Sequence, residues 1–289
     1  YTTPFGADSD YTGTTFGVDS DSNITTMQSF SAHELGLTCS NGMDVGKGRV
    51  SLIGGVFMQH LDYEQFVGGG LALFELSDTG YGFRVGGAYE IPEIALRAQL
   101  MYRSAVDVSA DGTFGIIGGP ILNPGAVGFA KFPQSVELKV QSGIAPGWLV
   151  YGAVTWTDWS VFDVLTYQAS VPGLDRTLNF FWEDGWTVNL GIAHQFNEEV
   201  AGTVSVTWDK GVGTGHDLQG SDRWTLAAGG SYKPNDMVEF RAGLGVTFFG
   251  ATSQDFTSDF FGAPIASPGF KTAEAGNAIG GSISAKIKF

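Results

Sequence analysis

Hydrophobic and polar residues alternate strictly along much of this chain. In the segment 94–104, Leu96 and Leu100 share one face while Arg97 and Arg103 share the other. A period of two predicts a β-strand with one apolar and one polar face. The same alternation recurs at 136–141, 186–193, 200–208, 224–232, 238–247 and 279–289.

Repeated along the chain, this pattern predicts about 12 strands. They are expected at 1–6, 24–40, 48–60, 80–91, 94–108, 134–144, 147–158, 185–196, 199–210, 223–233, 237–249 and 277–289. The connections between them alternate in length. The short ones are 41–47, 91–93, 145–147, 197–199 and 233–236, and the long ones are 7–23, 61–79, 109–133, 159–184, 211–222 and 250–276.

Strand length and loop alternation together separate a membrane barrel from a soluble sandwich. Most predicted strands run to ten residues or more, which suits a tilted bilayer crossing of about 9–11 residues, whereas soluble strands usually have about 5–6. Short periplasmic turns and long extracellular loops are typical of outer-membrane barrels. The sequence therefore predicts an all-β, transmembrane, antiparallel up-and-down β-barrel, with residues 1–289 as a single domain in a bacterial outer membrane.

Composition agrees with this interpretation and excludes several alternatives. Charged residues make up 16% of the chain, its net charge is −15, and it has 43 glycines and a single cysteine. The acidic balance without a basic cluster argues against a nucleic-acid partner. One cysteine excludes an internal disulfide framework and a cysteine-based zinc site. The longest run without a polar residue is 66–74, far below the roughly 20 residues of a spanning helix.

Six segments resemble the FadL/TodX (OMPP1) family of outer-membrane transporters for hydrophobic compounds. They are GYGFRVGGAYEIP at 80–92, MYRSAV at 101–106, FPQSVELKV at 132–140, TWTDWSVF at 155–162, FWEDGWTVNLG at 181–191 and SDRWTLAAGGSY at 221–232. The resemblance implies a barrel of roughly 14 strands, plugged by an N-terminal hatch. It also implies passive inward transport of long-chain fatty acids or aromatic hydrocarbons. No hatch segment is found here, so we expect the hatch to be absent from this chain.

Two long connections are rich in apolar residues, although loops that face water should be polar. Exposed apolar patches usually mark binding surfaces. We therefore expect these loops to capture a hydrophobic ligand, with packing of the loops on each other as the alternative. The candidate residues are Phe114, Ile116, Ile117, Ile121, Leu122, Val127 and Phe129 in the first loop, and Phe162, Leu165, Phe180 and Phe181 in the second.

Several charged residues fall on the polar, lumen-facing side of the strands. Most are expected to brace the lumen as salt bridges. A basic residue beside an apolar cavity can also bind a carboxylate by a charge-assisted hydrogen bond. Arg97, Arg103, Lys139 and Arg241 are the candidates for that role.

The sequence therefore predicts a passive channel for long-chain fatty acids or other hydrophobic small molecules. We expect a monomer surrounded by lipid and lipopolysaccharide, without a cofactor, a catalytic residue or a bound metal. A general diffusion porin or a structural barrel is the alternative. An outer-membrane hydrolase is a weaker one, based on His216 beside Asp217 without a nucleophile motif. Asp8, Asp10, Asp19 and Asp21 are expected to form a solvated acidic loop, with Ca²⁺ binding as the alternative.

Overall fold

The fold is described by a computed structural model of the chain. It describes residues 1–10, 27–67, 72–161, 164–168, 176–179, 182–213, 220–258 and 264–287. Within these ranges, no helix is long and apolar enough to cross a membrane.

The described residues form eighteen β-strands and two single 3-10 turns, Pro92–Ile94 and Trp159–Val161. The strands are β1 (Thr2–Asp10), β2 (Met27–Val45), β3 (Gly48–Val67), β4 (Ala72–Ile91), β5 (Leu96–Arg103), β6 (Val106–Ile116), β7 (Ile121–Phe132), β8 (Ser135–Ala145), β9 (Trp148–Thr157), β10 (Val164–Gln168), β11 (Arg176–Asn179), β12 (Gly185–Gln195), β13 (Val200–Asp209), β14 (Arg223–Asn235), β15 (Val238–Phe249), β16 (Thr252–Ser258), β17 (Pro264–Ala273) and β18 (Gly276–Ile287).

Twelve of these strands form one continuous antiparallel wall. Its order is β1-β2-β3-β4-β5-β8-β9-β12-β13-β14-β15-β18. Each strand pairs with the next strand of the wall, so the predicted all-β, up-and-down arrangement of about 12 strands is confirmed. Among the described residues no ladder joins β1 to β18, and the wall is open along that seam.

The two faces of the wall differ in chemistry. Large apolar side chains stand exposed on one face, as Leu226, Leu244 and Ile283 do on neighbouring strands. The intervening positions on the opposite face are small or polar, such as Gly243 and Ser282. A soluble protein would bury its apolar face, so the exposed apolar face is the one that contacts lipid.

Tight turns close one end of the wall, as the short connections predict. Asn197 accepts hydrogen bonds from the backbone N–H groups of Glu199 and Val200, at 2.9 and 2.8 Å. Asn235 likewise accepts hydrogen bonds from the backbone N–H groups of Met237, which precedes β15, and of Val238, which begins it. Gly147 turns the chain with φ +76°, a conformation that disfavours other residues. We call the opposite end, which carries the long connections, the outer mouth.

Three strands rise well beyond the membrane at the outer mouth. β2, β3 and β4 have 19, 20 and 20 residues, whereas a tilted crossing needs about 9–11. The prediction of a connection at 61–79 is therefore wrong in part, because β3 continues to Val67 and β4 already starts at Ala72. The turn predicted at 41–47 is also shorter, since β2 reaches Val45.

The predicted strand 94–108 and the predicted connection 109–133 form one long structure. β5 stops at Arg103 and β6 resumes at Val106, with Ser104 donating its backbone N–H to the Phe83 carbonyl at 2.9 Å. β6 and β7 then form a hairpin that extends the β5–β8 pair outward. The predicted connection is thus mostly hairpin.

Short strands occupy parts of the other predicted connections. Inside 159–184, β10 pairs with β11, and β10 also pairs with β7 of the preceding hairpin. Inside 250–276, β16 pairs with β17. Residues 11–26 and 214–219, which overlap the predicted connections 7–23 and 211–222, lie outside the described residues.

The packed core lies at the outer mouth, between the outer parts of β2, β3 and β4 and the β6–β7 hairpin. Alternate residues of β6 point inward, so Val106 and Val108 are buried while Asp107 and Ser109 are exposed. The complete buried cluster is Ala32, Phe57, Leu61, Phe74, Leu76, Val106, Val108, Ala110, Ala126 and Phe132.

Candidate functional site

Two arginines and one glutamate meet on the inner face of the wall, just below the outer mouth. Glu34 of β2 accepts hydrogen bonds from Arg84 of β4 and from Arg103 of β5, the latter at 2.5 Å. Arg103 also donates to the Gln59 side-chain oxygen at 2.6 Å. Register explains the meeting, because Glu34 faces Gln59 across β2–β3 and Arg84 faces Arg103 across β4–β5.

This guanidinium cluster, Glu34, Gln59, Arg84 and Arg103, carries excess positive charge. Glu34 and Gln59 are buried, and the Arg84 and Arg103 side chains are largely shielded, at 28% and 19% exposed. Glu34 is 4% exposed and Gln59 1%. Two guanidinium groups against one carboxylate leave a net charge of +1. In a poorly solvated place, a positive charge strongly favours an anionic partner.

Three N–H groups of the cluster have no acceptor among the described residues. They are Nε2 of Gln59, Nε of Arg84 and Nε of Arg103, all shielded from solvent. A buried donor without an acceptor costs about 1–3 kcal/mol. The cluster is therefore well suited to hydrogen-bond an additional acceptor, with charge assistance if that acceptor is an anion.

One aromatic ring contacts both guanidinium groups. The Phe57 ring centroid lies 3.9 Å from Cζ of Arg103 and 5.1 Å from Cζ of Arg84. Both distances are within the range of cation–π attraction. The ring lies over Gly82 of β4, where a Cβ atom would overlap it. The small residue on β4 thus makes room for the ring that positions the arginines.

A second group of rings continues from the cluster toward the outer mouth. Phe5 of β1 lies 5.8 Å from Cζ of Arg103 and stacks on Phe132 at 5.2 Å. Phe5 also contacts Trp159 at 5.6 Å, and Trp159 contacts Trp182 at 5.3 Å. These four residues form an aromatic cluster that spans from β1 to the segment before β12. Apolar surface and excess positive charge are therefore contiguous.

Hydrogen bonds at the rim hold the segment that carries Trp182. The indole N–H of Trp156 donates to Asp184 at 2.9 Å. Lys210 donates to the Glu183 carboxylate at 2.9 Å and to the Asp184 carbonyl at 3.3 Å. Trp159 itself packs against Gly185, where a Cβ atom would lie 2.7 Å from the indole. The aromatic cluster thus has a fixed support.

The four predicted carboxylate-binding residues all lie in ion pairs. Arg103 belongs to the guanidinium cluster. Arg97 pairs with Glu90, Lys139 with Glu137 and Arg241 with Glu239, each at 2.7 Å. These three cations are about half exposed. Of the four, Arg103 is the one that the structure brings next to apolar surface at the outer mouth.

The predicted capture residues divide into two groups along the β6–β7 hairpin. Phe114 packs against the core and Val127 is half-buried, as expected for loops that pack on each other. Exposed side chains are those of Ile116, Ile117, Ile121, Leu122 and Phe129. Phe162, Phe180 and Phe181 lie outside the described residues, as do His216 and Asp217. Leu165 lies in β10, without a description of its side chain.

Sequence reasoning missed Glu34, Gln59 and Arg84 of the guanidinium cluster, the Phe57 ring that contacts both arginines, and the whole aromatic cluster. For Arg84 a signal existed, because Phe83 and Val85 alternate with it and both are exposed on the lipid side. That alternation points Arg84 inward. No local pattern identifies Glu34 as its partner, because the two residues are 50 positions apart.

The acidic segment near residue 10 has only partial structural support. Asp8 accepts a hydrogen bond from the Ser29 hydroxyl at 2.5 Å. Asp19 and Asp21 lie outside the described ranges, and the Asp10 side chain is likewise not described. Within the described part of the chain, no three His, Cys, Asp or Glu side chains come together as a metal site.

Comparisons with known proteins agree with this architecture. A family model for outer membrane protein transport proteins (OMPP1/FadL/TodX) matches residues 7–248. The long-chain fatty acid transport protein of Escherichia coli O6:H1 is 22% identical over 196 residues, which is 57% of this chain and 42% of that protein. The chain therefore spans less than half the length of this curated relative.

Solved structures show the same fold at low sequence identity. A FadL homologue from Pseudomonas aeruginosa superposes with a TM-score of 0.71 at 15% identity, covering 91% of this chain and 68% of that one. The toluene transporter TodX of Pseudomonas putida gives a TM-score of 0.57 at 16% identity, covering 91% and 70%. With the family model matching most of its length, this outer-membrane β-chain belongs to the OMPP1/FadL/TodX family of outer membrane transport proteins.

Proposed function

We propose that this chain acts as a passive outer-membrane channel for long-chain fatty acids or other hydrophobic small molecules. The observation that carries the proposal is the contact between the aromatic cluster and the guanidinium cluster, where Phe5 lies 5.8 Å from Cζ of Arg103. An amphiphile needs apolar surface for its chain and a donor group for its head, and both are contiguous here. Residues 1–289 act as one barrel domain in this account.

Capture takes place at the outer connections. The exposed side chains of Ile117, Ile121 and Phe129 offer apolar surface to a ligand arriving from outside. Ile116 and Leu122 extend this surface, with Phe114 and Val127 at its base. Phe162, Leu165, Phe180 and Phe181 of the following connection complete the capture surface in this proposal.

The guanidinium cluster then holds the head group. Arg84 and Arg103 share one carboxylate, and the Nε atoms of both have no acceptor among the described residues. A ligand carboxylate would supply acceptors and neutralise the excess charge. In this proposal the acid group of the ligand lies beneath the aromatic cluster, and its hydrocarbon chain lies among the rings.

Arg97, Lys139 and Arg241 offer weaker contacts farther along the lumen. Each is about half exposed and paired with a single carboxylate. Exposed ion pairs contribute little because solvent screens them. A passing carboxylate can therefore exchange with the acidic partner and move on, which suits transport better than tight retention.

The channel works as a monomer surrounded by outer-membrane lipid and lipopolysaccharide in this proposal, without a cofactor and without catalysis. The lipid-facing side chains of β13, β14 and β15, such as Val204, Leu226 and Leu244, provide the apolar surface that a single chain presents to lipid.

The proposal is tested by transport in liposomes that contain the purified chain. Uptake of a long-chain fatty acid and of a small sugar is measured side by side, and co-purified ligands are identified by mass spectrometry. We expect fatty-acid uptake that saturates, little sugar uptake and a retained amphiphile. Sugar uptake without fatty-acid uptake would contradict the proposal and favour a general diffusion porin.

A further inference from the structure

The β6–β7 hairpin changes character along its length. At its base one face is buried and the other is polar, with Val106 and Val108 inside and Asp107 and Ser109 outside. That is the pattern of a strand that packs on a core. Toward the turn the polar face disappears.

The end of the hairpin is apolar on both faces. Ile116, Ile117, Ile121 and Leu122 are 44%, 50%, 61% and 41% exposed. Ile121 and Leu122 are consecutive strand residues, so their side chains point to opposite faces. A lid that packs on the barrel buries one apolar face and leaves a polar one outside. The hairpin tip, residues 116–122, does not have this pattern.

The tip is also a well-formed turn. The backbone N–H of Ile116 donates to the Pro120 carbonyl at 3.1 Å, and that of Gly119 donates to the Ile116 carbonyl at 2.9 Å. Gly118 takes φ +70°, which its lack of a side chain permits. The four apolar side chains are therefore presented on a defined hairpin.

Charge makes the tip different from the chain as a whole. Residues 112–130 contain no Asp, Glu, Lys or Arg, although Asp111 and Lys131 flank them and the protein carries a net charge of −15. Burying an uncharged apolar hairpin in an apolar medium requires no desolvation of charge. An uncharged tip therefore matches an uncharged hydrophobic phase better than it matches a basic or acidic protein partner.

We propose that the hairpin tip docks on the surface of uncharged oil droplets formed by the hydrophobic compounds that the channel carries. The compound then passes from the droplet to the aromatic cluster without dissolving in water as a monomer. This inference rests on the proposed transport function and assigns the tip a separate step, attachment to the apolar phase.

Droplet binding by the chain in lipid nanodiscs tests the attachment step. The nanodiscs are mixed with hexadecane droplets and floated by centrifugation, with empty nanodiscs as background. We compare the parent chain with the Ile117→Ser, Ile121→Ser double variant and with a matched Ile117→Val, Ile121→Val variant. Because Ile117 and Ile121 are 50% and 61% exposed, each transfers about half of its surface into oil, and we expect the serine variant to bind droplets at least about tenfold more weakly.

The valine variant is expected to bind droplets nearly as well as the parent chain. Equal flotation of the serine variant and the parent would overturn the proposal. The proposal would also be overturned if parent nanodiscs self-associated without droplets and the serine variant did not. The tip would then bind a second copy of the chain. A shift in electrophoretic mobility between unheated and heated samples checks that each variant forms a folded barrel.

Uptake into liposomes separates this inference from the transport function. A fluorescent fatty acid is delivered either within hexadecane droplets or as monomer from a cyclodextrin complex. We expect the serine variant to lose about tenfold in uptake from droplets and clearly less in uptake of monomer, because Phe129 of the capture surface is unchanged and a monomer needs no attachment step. Equal losses in both formats would overturn the docking role. No uptake by the parent in either format would instead contradict the proposed transport function.

Discussion

Arg103 lies over the ring of Phe57, with its Cζ atom 3.9 Å from the ring centroid, and donates at the same time to Glu34 at 2.5 Å. Arg84 contacts the same ring from 5.1 Å and the same carboxylate. One ring and one carboxylate therefore position both cations. The consequence is a guanidinium cluster whose geometry depends on residues that carry no positive charge.

Gly82 determines whether the Phe57 ring can take this place. A Cβ atom at Gly82 would overlap the ring and lie 2.9 Å from the Ser104 hydroxyl. We expect Gly82→Ala to displace the ring and to lower the free energy of unfolding by about 1–3 kcal/mol, the usual cost of overpacking. Urea unfolding of the reconstituted chain, followed by tryptophan fluorescence, measures this change.

Gly54→Ala is the matched control for that substitution. Gly54 lies on β3, and a methyl group at this position would have no neighbour within 4 Å. We expect it to be neutral or to stabilise by about 0.5–1 kcal/mol, because alanine restricts the unfolded chain. Equal destabilisation by both substitutions would show that the Phe57 contact is not the reason.

Gly185 supports the aromatic cluster from the side of β12. A Cβ atom there would lie 2.7 Å from Cδ1 of Trp159, which contacts both Phe5 and Trp182. Since aromatic pairs contribute about 0.5–1.5 kcal/mol each, we expect Gly185→Ala to weaken binding of a hydrophobic ligand roughly threefold to tenfold. Quenching of tryptophan fluorescence by a brominated fatty acid measures this affinity.

Gly280→Ala is the matched control for Gly185→Ala. Gly280 lies on β18, and a methyl group at this position would have no neighbour within 4 Å. It should leave the affinity unchanged. A Gly185→Ala variant that binds the brominated fatty acid as tightly as the parent would show that the position of Trp159 does not matter for the ligand.

Two residues at the closed end of the wall are expected to respond in opposite directions. Ala95 has φ +50°, a left-handed conformation that costs a non-glycine residue about 1–2 kcal/mol. Ala95→Gly should therefore stabilise the barrel. Gly147 has φ +76° with the Gln195 carbonyl 3.1 Å from a Cβ position, so Gly147→Ala should destabilise it. Urea unfolding measures both; a shift of the same sign in the two variants would contradict this account.

The strands of the wall could be predicted from the sequence because the pattern that marks each strand is local. Alternation within ten residues identified the twelve strands, and the length of each connection gave their order. The alternation does not mark the parts of the strands that extend beyond the membrane. Asp62 is exposed on β3 beyond the lipid and Glu64 follows it, so the apolar alternation that marks a membrane strand ends before the strand does.

The site was less predictable because its contacts are distant in sequence. The alternation placed Arg103 on the lumen side, but its partner Glu34 lies 69 positions away and depends on the register of four strands. Phe5 belongs to β1 but meets Phe132 and Trp159 across the mouth. Such meetings follow from the curved path of the wall and leave no local pattern.

Binding of a long-chain fatty acid and of the alcohol of equal chain length tests the central claim most directly. Dissociation constants are measured for the parent, Glu34→Gln and Arg103→Gln, which set the net charge of the cluster at +1, +2 and 0. We expect Glu34→Gln to tighten and Arg103→Gln to weaken acid binding by about tenfold each, with the alcohol little changed. Acid and alcohol affinities that shift together, or not at all, would contradict a head-group site at Arg84 and Arg103.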